Sequence, residues 1–276
     1  MFAGVRVALL TPGGQDTFRL ATTNAAGVAV FDSVPIGTYR VVIDRRALGD
    51  TVGVIAGDTG IVRLVAQKDS IQSSRVVRLG YAEVSLAAAR LLPAGRRVLV
   101  RGKVVAPLQD FRDSSAFLVD TSGALRVTGA RPRFGGAGNN IGDSVLVLGT
   151  TGQETGQGVL RDGLFLTLSL GVAPLPQIVT VADAITARGG ALDAALIQLS
   201  NIVIRDTVAS GADFIVKVAD PATPDVTVSI LIDQLLGAPR TLFPPGRTGT
   251  FRGVLVPQLD GTWVVKPRGP PDIILN

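Results

Sequence analysis

Cationic side chains interleaved with two phenylalanines are the part of this sequence that could bind a ligand. Guanidinium and ammonium groups neutralise phosphate oxygens, and binding of that kind weakens as salt rises. An exposed phenyl ring stacks on a nucleobase and contributes about 1–3 kcal/mol per base. The pattern predicts a weak groove for a polyanion such as single-stranded nucleic acid, and a solvated basic surface is the alternative. The predicted groove residues are Arg101, Lys103, Phe111, Arg112, Arg126, Arg131, Arg133 and Phe134.

The residue types that most hydrolytic enzymes need are absent. The chain has 276 residues and contains neither cysteine nor histidine. Disulfides, Cys/His zinc sites, Ser-His-Asp triads and Cys-His dyads are therefore excluded. The 22 acidic residues show no spacing that singles out an acid and a base of the glycosidase kind. We expect no enzymatic activity, no cofactor and no metal ion.

Two short motifs have an ordinary interpretation beside a functional one. The glycine-rich stretch 135–140 lacks the lysine and the strand-to-helix setting of a phosphate loop, which favours a flexible loop. Residues 220–225, with sequence DPATPD, place two carboxylates close together as in a calcium site. A turn made rigid by proline is the favoured interpretation of that segment.

The composition predicts an all-β protein. Hydrophobic residues make up 46% of the chain, and 33 glycines and 16 prolines separate short runs of Val, Leu and Ile. Such runs, bounded by turn residues, are typical of strands joined by tight turns. A chain of this length can form two or three separate cores. The net charge of +5 is modest and fits either contact with a polyanion or ordinary solubility.

A repeat of about a hundred residues organises the second part of the chain. The stretch 98–120 returns in weaker form as 196–218, and each copy has an apolar strand, a polar turn and a second strand. Each predicted turn carries an arginine–aspartate pair, and each second strand opens with a phenylalanine. These residues are Arg112–Asp113 with Phe117 in the first copy and Arg205–Asp206 with Phe214 in the second.

The strand order within the first copy predicts an OB-fold. Its five expected strands are 98–105, 116–120, a third after the turn at 122–123, 144–150 and 159–170, with the one sizeable insertion between the third and the fourth. Gly102 is expected to mark a bulge that bends the long first strand. Phe117 is expected in the core. Short amphipathic helices at 84–92 and 181–188 are expected to lead into the two copies.

The chain before residue 80 predicts a separate β-sandwich. Strands are expected at 5–10, 18–22, 28–31, 39–43 and 75–79, with a strand pair at 53–55 and 61–65 joined by AGDTG. The Asn24–Gly27 turn, VPIGTYRV and AGDT together resemble the carboxypeptidase regulatory-like or prealbumin-like sandwich of secreted bacterial proteins. That resemblance implies a non-catalytic spacer, stalk or carbohydrate-binding-like unit. Tyr39 is expected to pack in the core, and no Lys–Asn crosslink is expected because the only lysine of this segment is Lys68.

The repeated part also resembles a known arrangement. Gly95–Val104, Phe117–Asp120, Gly142–Gly149 and Pro267–Ile273 are similar to the tandem OB-fold modules attached to bacterial extracellular nucleases and related surface proteins. The resemblance implies binding of single-stranded nucleic acid or oligosaccharide across the second and third strands. The second copy departs from the pattern, with Ser200–Asn201 in the place of Gly102, and a structural role is expected for it.

These observations predict an all-β chain with one seven-strand-type β-sandwich at 1–80 and two five-stranded OB-like barrels at 81–173 and 174–276. We expect a non-catalytic scaffold or ligand-binding region of a secreted or cell-surface bacterial protein. The alternatives are an accessory region of an extracellular nuclease that binds single-stranded nucleic acid, and a carbohydrate-binding module. No transmembrane segment or signal peptide is visible, and the chain is expected to begin within folded structure. The oligomeric state is left open.

Overall fold

The structure is a computed structural model that describes residues 3–11, 16–44, 52–56, 60–64, 78–129 and 140–276. It is all-β, and the helices of the described residues are short. The chain divides into two compact units, Met1–Glu83 and Val84–Asn276. Over the described ranges, no helix is long and apolar enough to cross a membrane.

The first unit has a sandwich-like arrangement of two sheets. The four-stranded sheet has the order β2-β1-β3-β5 and is antiparallel, and β4 pairs with β6 in a second, two-stranded sheet. The strands are β1 (Arg6–Leu10), β2 (Thr17–Thr22), β3 (Gly37–Ile43), β4 (Val52–Ala56), β5 (Gly60–Leu64) and β6 (Arg78–Tyr81). Tyr39 is buried, as predicted, and its hydroxyl donates to the Pro35 carbonyl at 3.0 Å.

Two strand predictions in this unit are wrong. Residues 28–31 form no strand, because the Asn24 side chain accepts from the Ala26 and Val28 amides at 2.9 and 3.0 Å and holds the chain in a turn. Val28 and Val30 are exposed as a result. The expected hairpin through AGDTG is also incorrect, since β4 and β5 belong to different sheets.

The second unit begins with a closed five-stranded barrel. The strand order is β8-β9-β10-β12-β11, and β11 returns to pair with β8. Only the β10–β12 contact is parallel. This is the predicted OB-fold-like order, in which the fifth strand lies between the third and the fourth. The elements are β7 (Glu83–Val84), α1 (Leu86–Leu91), β8 (Arg97–Ala106), β9 (Ala116–Val119), β10 (Ala124–Thr128), β11 (Ser144–Glu154) and β12 (Gln157–Ser169).

A second barrel repeats this topology. Its order is β14-β15-β16-β18-β17, closed by β14–β17, and again only the contact of the third strand with the fifth is parallel within the ring. The short strands β13 and β19 extend the sheet. The elements are β13 (Gln177–Ile178), α2 (Val181–Thr186), β14 (Leu196–Ser210), β15 (Asp213–Ala219), β16 (Thr227–Ile232), β17 (Thr248–Pro257), β18 (Trp263–Lys266) and β19 (Ile273–Leu275).

The leading helices show how closely the two copies correspond. Leu86 and Val181, the first residues of α1 and α2, are buried. The Leu86 amide donates to Asp120 Oδ2 at 3.0 Å, and the Val181 amide donates to Asp220 Oδ2 at 3.4 Å. Asp120 and Asp220 each directly follow the second strand of their barrel. The two copies are therefore aligned with a shift of one hundred residues at this strand.

This alignment corrects the predicted equivalence of Phe117 with Phe214. With Asp120 matched to Asp220, the residue in the place of Phe117 is Lys217. Both side chains point away from their barrel, because the neighbouring Leu118 and Val218 lie in the interior. The predicted turn at Arg205–Asp206 is also wrong, since both residues lie within β14.

The bulges are displaced from the predicted position in the first barrel. The register of β8 with β9 shifts between Val104 and Ala106, not at Gly102. Gly102 serves close packing instead, because a Cβ there would lie 3.2 Å from the Leu118 Cβ and 3.3 Å from the Leu86 Cδ1. In the second barrel, the register of β14 with β15 shifts at the matching place, between Ile204 and Asp206. A further shift, against β17, lies at Ser200–Asn201, where Asn201 has a φ of 54°.

Candidate ligand face and the joint between the barrels

The outer side of β9 and β10 is the surface on which OB-folds bind ligands. We call it the first-barrel face. Alternate residues point inward and pack in the core of the first barrel: Ala116, Leu118, Leu125 and Val127. The outward set that forms the face is Phe117, Val119, Ala124, Arg126 and Thr128. Phe117 and Ala124 are 0% and 5% exposed although they point away from the barrel, so another part of the protein covers this face.

The second barrel covers it. Phe117, Ala124, Val105 and Ala106 belong to the same buried cluster as the core of the second barrel. On the second barrel, the outward residues of β17 and β18 are also buried: Val254, Val256, Val264 and Lys266. We call this contact between the barrels the joint. The first-barrel face is therefore occupied within the folded chain.

Phe111 lies inside the joint, and the prediction that its ring is available for stacking on a base is wrong. It is 1% exposed and packs edge-on against Phe117 with 5.6 Å between ring centroids. The Lys266 Nζ lies 4.4 Å from the Phe111 ring centroid. A cation over a desolvated ring is stabilising, and it replaces the predicted contact between ring and ligand.

Arg126 is bound by side chains of the protein itself. Its Nε donates to Ser115 Oγ at 3.0 Å, and its Nη atoms lie 3.2 Å from Asp113 and 3.6 Å from Glu154. Its side chain is 19% exposed. The predicted ligand group is thus neutralised and half-buried.

Asp113 joins the two barrels through charge. The Lys266 Nζ of the second barrel lies 3.0 Å from Asp113 Oδ2, on the same carboxylate that binds Arg126. Burial alone would raise the pKa of Asp113, but Lys266, the Ser115 amide and Arg126 together hold this pKa below its usual value. The carboxylate stays charged between the two cations.

Arg112 also contacts the second barrel. Its amide donates to Asp233 Oδ2 at 3.2 Å, and its guanidinium lies 3.3 Å from Asp213 Oδ1. The guanidinium is half-exposed, so it lies at the edge of the joint.

The remaining predicted residues are not brought into the same groove by the described structure. Arg101 and Lys103 are exposed on the outer side of β8, beyond the edge of the joint. Arg131, Arg133 and Phe134 lie outside the described residues. The predicted set of eight is thus divided between the joint, the surface of β8 and a segment that is not described.

Two further carboxyl groups of this region have unusual pKa values. Burial raises the pKa of Asp193 to about 6, against the opposing effect of Arg90 and Arg126. Asp193 pairs with Arg90 at 2.9 Å, which links the loop before β14 to α1. Burial also raises the pKa of Asp110 to about 6, although Arg268 opposes it. Asp110 Oδ2 is buried and has no hydrogen-bond partner.

Arg268 fastens the end of the second barrel to the first. It forms an ion pair with Asp272 at 2.7 Å and donates to the Val105 carbonyl at 3.0 Å. Arg268 and Asp272 belong to the Pro267–Ile273 motif noted in the sequence. The motif did not predict a contact between the two barrels. The described residues include no cluster of acidic side chains that could hold a metal ion.

The equivalent surface of the second barrel is open. We call the outward residues of β15 and β16 the second-barrel face: Asp213, Ile215, Lys217, Ala219, Thr227, Ser229 and Leu231. Ala219 at its edge is buried, and Ile215, Ser229 and Leu231 are half-buried. Lys217 is exposed, and the neighbouring Val208 of β14 is 40% exposed. The aromatic side chains that are exposed within the described ranges are Phe18 and Tyr81, and both lie in the first unit.

No family model matches the chain, and no curated protein matches it. Solved structures with some similarity include "OBody AM3L09 bound to hen egg-white lysozyme", at 15% identity and a TM-score of 0.28, over 37% of this chain and 96% of that one. "Molecular basis for abrogation of activation of pro-inflammatory cytokines" is 10% identical with a TM-score of 0.29, over 67% and 94% of the two chains. "Structure and Conformational Change of a Replication Protein A Heterotrimer Bound to ssDNA" is 8% identical with a TM-score of 0.22, over 95% and 90%. At these scores, none of them supports an inference about the function of this chain.

Proposed function

We propose that this chain is a non-catalytic scaffold of a secreted or cell-surface protein, in which residues 84–276 form a rigid pair of OB-fold-like barrels. The observation that carries the proposal is the burial of the first-barrel face, with Phe117 at 0% exposure against the second barrel. A surface that is buried in the contact between two modules is not accessible to a ligand. The pair then acts as one body that holds other parts of the protein at a set separation.

The charges of the joint support rigidity. Asp193 is 5% exposed in its pair with Arg90, and Lys266 is 8% exposed in its pair with Asp113. Asp193 and Lys266 are shielded from water in the closed joint and must keep their partners there, because a buried charge without its partner is costly. Hinge opening at the joint would break both pairs together with the apolar contacts of Phe117.

Rigidity is testable because the only tryptophan, Trp263, lies in the second barrel. Val147→Ala removes buried volume from the interior of the first barrel, where Val147 is fully buried. If the barrels unfold as one body, Trp263 fluorescence reports a loss of about 2 kcal/mol in the free energy of unfolding by urea. An unchanged Trp263 transition, with an earlier transition in circular dichroism, would contradict the proposal.

A second candidate function is binding of single-stranded nucleic acid at a surface outside the joint. The OB-fold-like topology and the exposed cations Arg101 and Lys103 favour it. The experiment is fluorescence anisotropy of a labelled oligonucleotide, with Arg101→Glu/Lys103→Glu and, as the matched control, Arg205→Glu/Lys217→Glu. The scaffold proposal predicts no saturable binding by the wild type at physiological salt. Saturable binding that only the first double variant removes would favour the second candidate.

A further inference from the structure

The hairpin of β11 and β12 is apolar on both of its sides. Its inward residues, among them Val145, Val147 and Phe165, are buried in the first barrel. The outward residues are leucines, in cross-strand pairs 146–166 and 148–164. We call the outward set the leucine face: Leu146, Leu148, Leu164, Leu166 and Leu168. A sheet with one face in water usually alternates apolar and polar residues, so an apolar outer side indicates a surface that is covered in use.

The exposure of these leucines is substantial. Leu164, Leu166 and Leu168 are 43%, 42% and 41% exposed. The segment that follows β12 adds aliphatic side chains that are exposed to a larger degree: Leu170, Val172, Leu175 and Ile178. Contiguous apolar surface of this kind marks an interaction site.

The chemistry of the face limits its partner. No charged residue occurs in 144–153 or in 163–178. Arg101 and Lys103 of β8 lie opposite Leu146 and Ser144 and border the face on its β11 side, but residues 163–169 of β12 at its centre offer no cation to a polyanion. A glycan would find no exposed aromatic ring within this part of the structure. The partner must offer an uncharged aliphatic surface, and the leucine face is itself such a surface.

The row of leucines on β12 can pack against the same row of a second copy. Leucine occupies every outward position of β12 from 164 to 168, and Leu170 continues the series over about 20 Å. A two-fold axis that runs parallel to β12 above Leu166 would place each of these leucines against the same leucine of the other copy. Contacts of this isologous kind are the commonest in homodimers.

The charges elsewhere favour the same arrangement. The chain has a net charge of +5, which opposes self-association wherever cations face each other. Arg101 and Lys103 lie on β8, which is separated from β12 by β11 and so by about 10 Å. A two-fold axis parallel to β12 exchanges the two flanks of the strand, and it therefore keeps the two sets of cations on opposite sides of the contact.

We propose that the leucine face binds the leucine face of a second copy of this chain, in a symmetric dimer centred on Leu166. The dimer does not depend on how the two barrels of one copy are joined, and it leaves the second-barrel face free. It also explains why outward positions of a barrel strand are leucines.

The first test is sedimentation equilibrium of the full chain over roughly 1 to 100 µM, the range in which a small interface associates. The wild type is expected to dimerise, and Leu166→Lys is expected to weaken the dimer by about tenfold or more, because it places two like charges at the centre of an apolar contact. Leu259→Lys is the matched control, since Leu259 is 95% exposed and lies outside the face. A monomeric wild type, or a dimer equally sensitive to both variants, would overturn the proposal.

A second test uses the absence of cysteine from the chain. Leu166→Cys places one thiol per copy beside the proposed axis. Sheets packed face to face lie about 10 Å apart, which is too far for a direct disulfide, so a short bifunctional maleimide is expected to link the copies in high yield. Leu259→Cys is expected to link them only slowly, through random collisions. Equal yields from the two variants would contradict the dimer. So would a monomeric wild type that sediments with phosphatidylcholine vesicles and loses that binding in Leu166→Lys, since the face would then bind lipid.

Discussion

The two barrels share one topology, yet the same surface is buried in the first and open in the second. At the matched position of the second strand, Phe117 is 0% exposed and Lys217 is exposed. The interior neighbours Leu118 and Val218 are equally buried, so the barrel itself imposes no difference. The type of the outward residue, Phe117 or Lys217, instead corresponds to what its face contacts: the other barrel or solvent. An OB-fold-like barrel therefore does not by itself indicate a ligand-binding protein, because its binding face can serve to join two modules.

Exchange of the matched residues of the first-barrel and second-barrel faces is expected to have the largest effect on the free energy of unfolding. Phe117→Lys removes a buried ring and places an ammonium group in the joint, and we expect a loss of about 3–5 kcal/mol in the free energy of unfolding. Lys217→Phe, the reciprocal control at an open position, is expected to change it by about 0.5 kcal/mol or less. Urea unfolding followed by Trp263 fluorescence measures both. Comparable effects of the two variants would mean that the faces do not differ in environment.

Removal of the Asp113 charge, which links the two barrels, is expected to have an intermediate effect on the free energy of unfolding. Asp113→Asn removes the carboxylate between Lys266 and Arg126, and we expect a loss of about 1–2 kcal/mol at neutral pH, reduced because Asp113 is 40% exposed. The pKa of Asp113 is lowered in the folded state, so its contribution is present above about pH 4 and is lost as the pH falls through the folded pKa. Urea unfolding at a series of pH values measures the difference. A constant difference between variant and wild type down to about pH 2 would contradict this role.

The smallest expected effect is a gain in stability. Asp110 has a pKa of about 6 in the folded state and a buried oxygen without a partner, so its ionised form destabilises the fold at neutral pH. Asp110→Asn is expected to stabilise the protein by about 1 kcal/mol at pH 7, a value reduced for solvent screening of this half-buried group. The gain should decrease as the pH falls from 6 to 4, because the wild-type carboxyl becomes neutral. Thermal unfolding measures it, with the exposed Asp225→Asn as the control.

The positions of the barrel strands were predictable from the sequence because each strand carries its own alternation of apolar residues. Val98, Val100 and Val104 alternate along β8 and are all buried in the first barrel. The failures in the first unit have local causes of another kind. Asn24 accepts a hydrogen bond from the amide of Val28, at the start of the expected strand 28–31. The choice of sheet for β4 and β5 depends on contacts distant in sequence.

The joint was not predictable from the sequence. Alternation shows on which side of its strand a side chain lies, but it does not show which other part of the protein contacts that side. Phe117 was expected in the core of its own barrel, and it is buried on the outer side against the second barrel. Phe111 and Arg126 have the residue types of a nucleic-acid groove, and those types serve equally well in a contact between modules. The ion pairs of Arg126 with Asp113 and of Lys266 with the same carboxylate join residues up to 153 positions apart. No local pattern encodes such pairs.

Thiol accessibility tests the burial of the first-barrel face most directly, because the chain has no cysteine of its own. Ala124→Cys introduces a small thiol on the first-barrel face, at a position that is 5% exposed, and Lys217→Cys introduces one on the second-barrel face. Stopped-flow labelling under native conditions is expected to be about a hundredfold slower or more for Ala124→Cys, since labelling requires the joint to open at a cost of several kcal/mol. Equal labelling rates would show that the first-barrel face is open to solvent, and would contradict the joint on which the scaffold proposal depends.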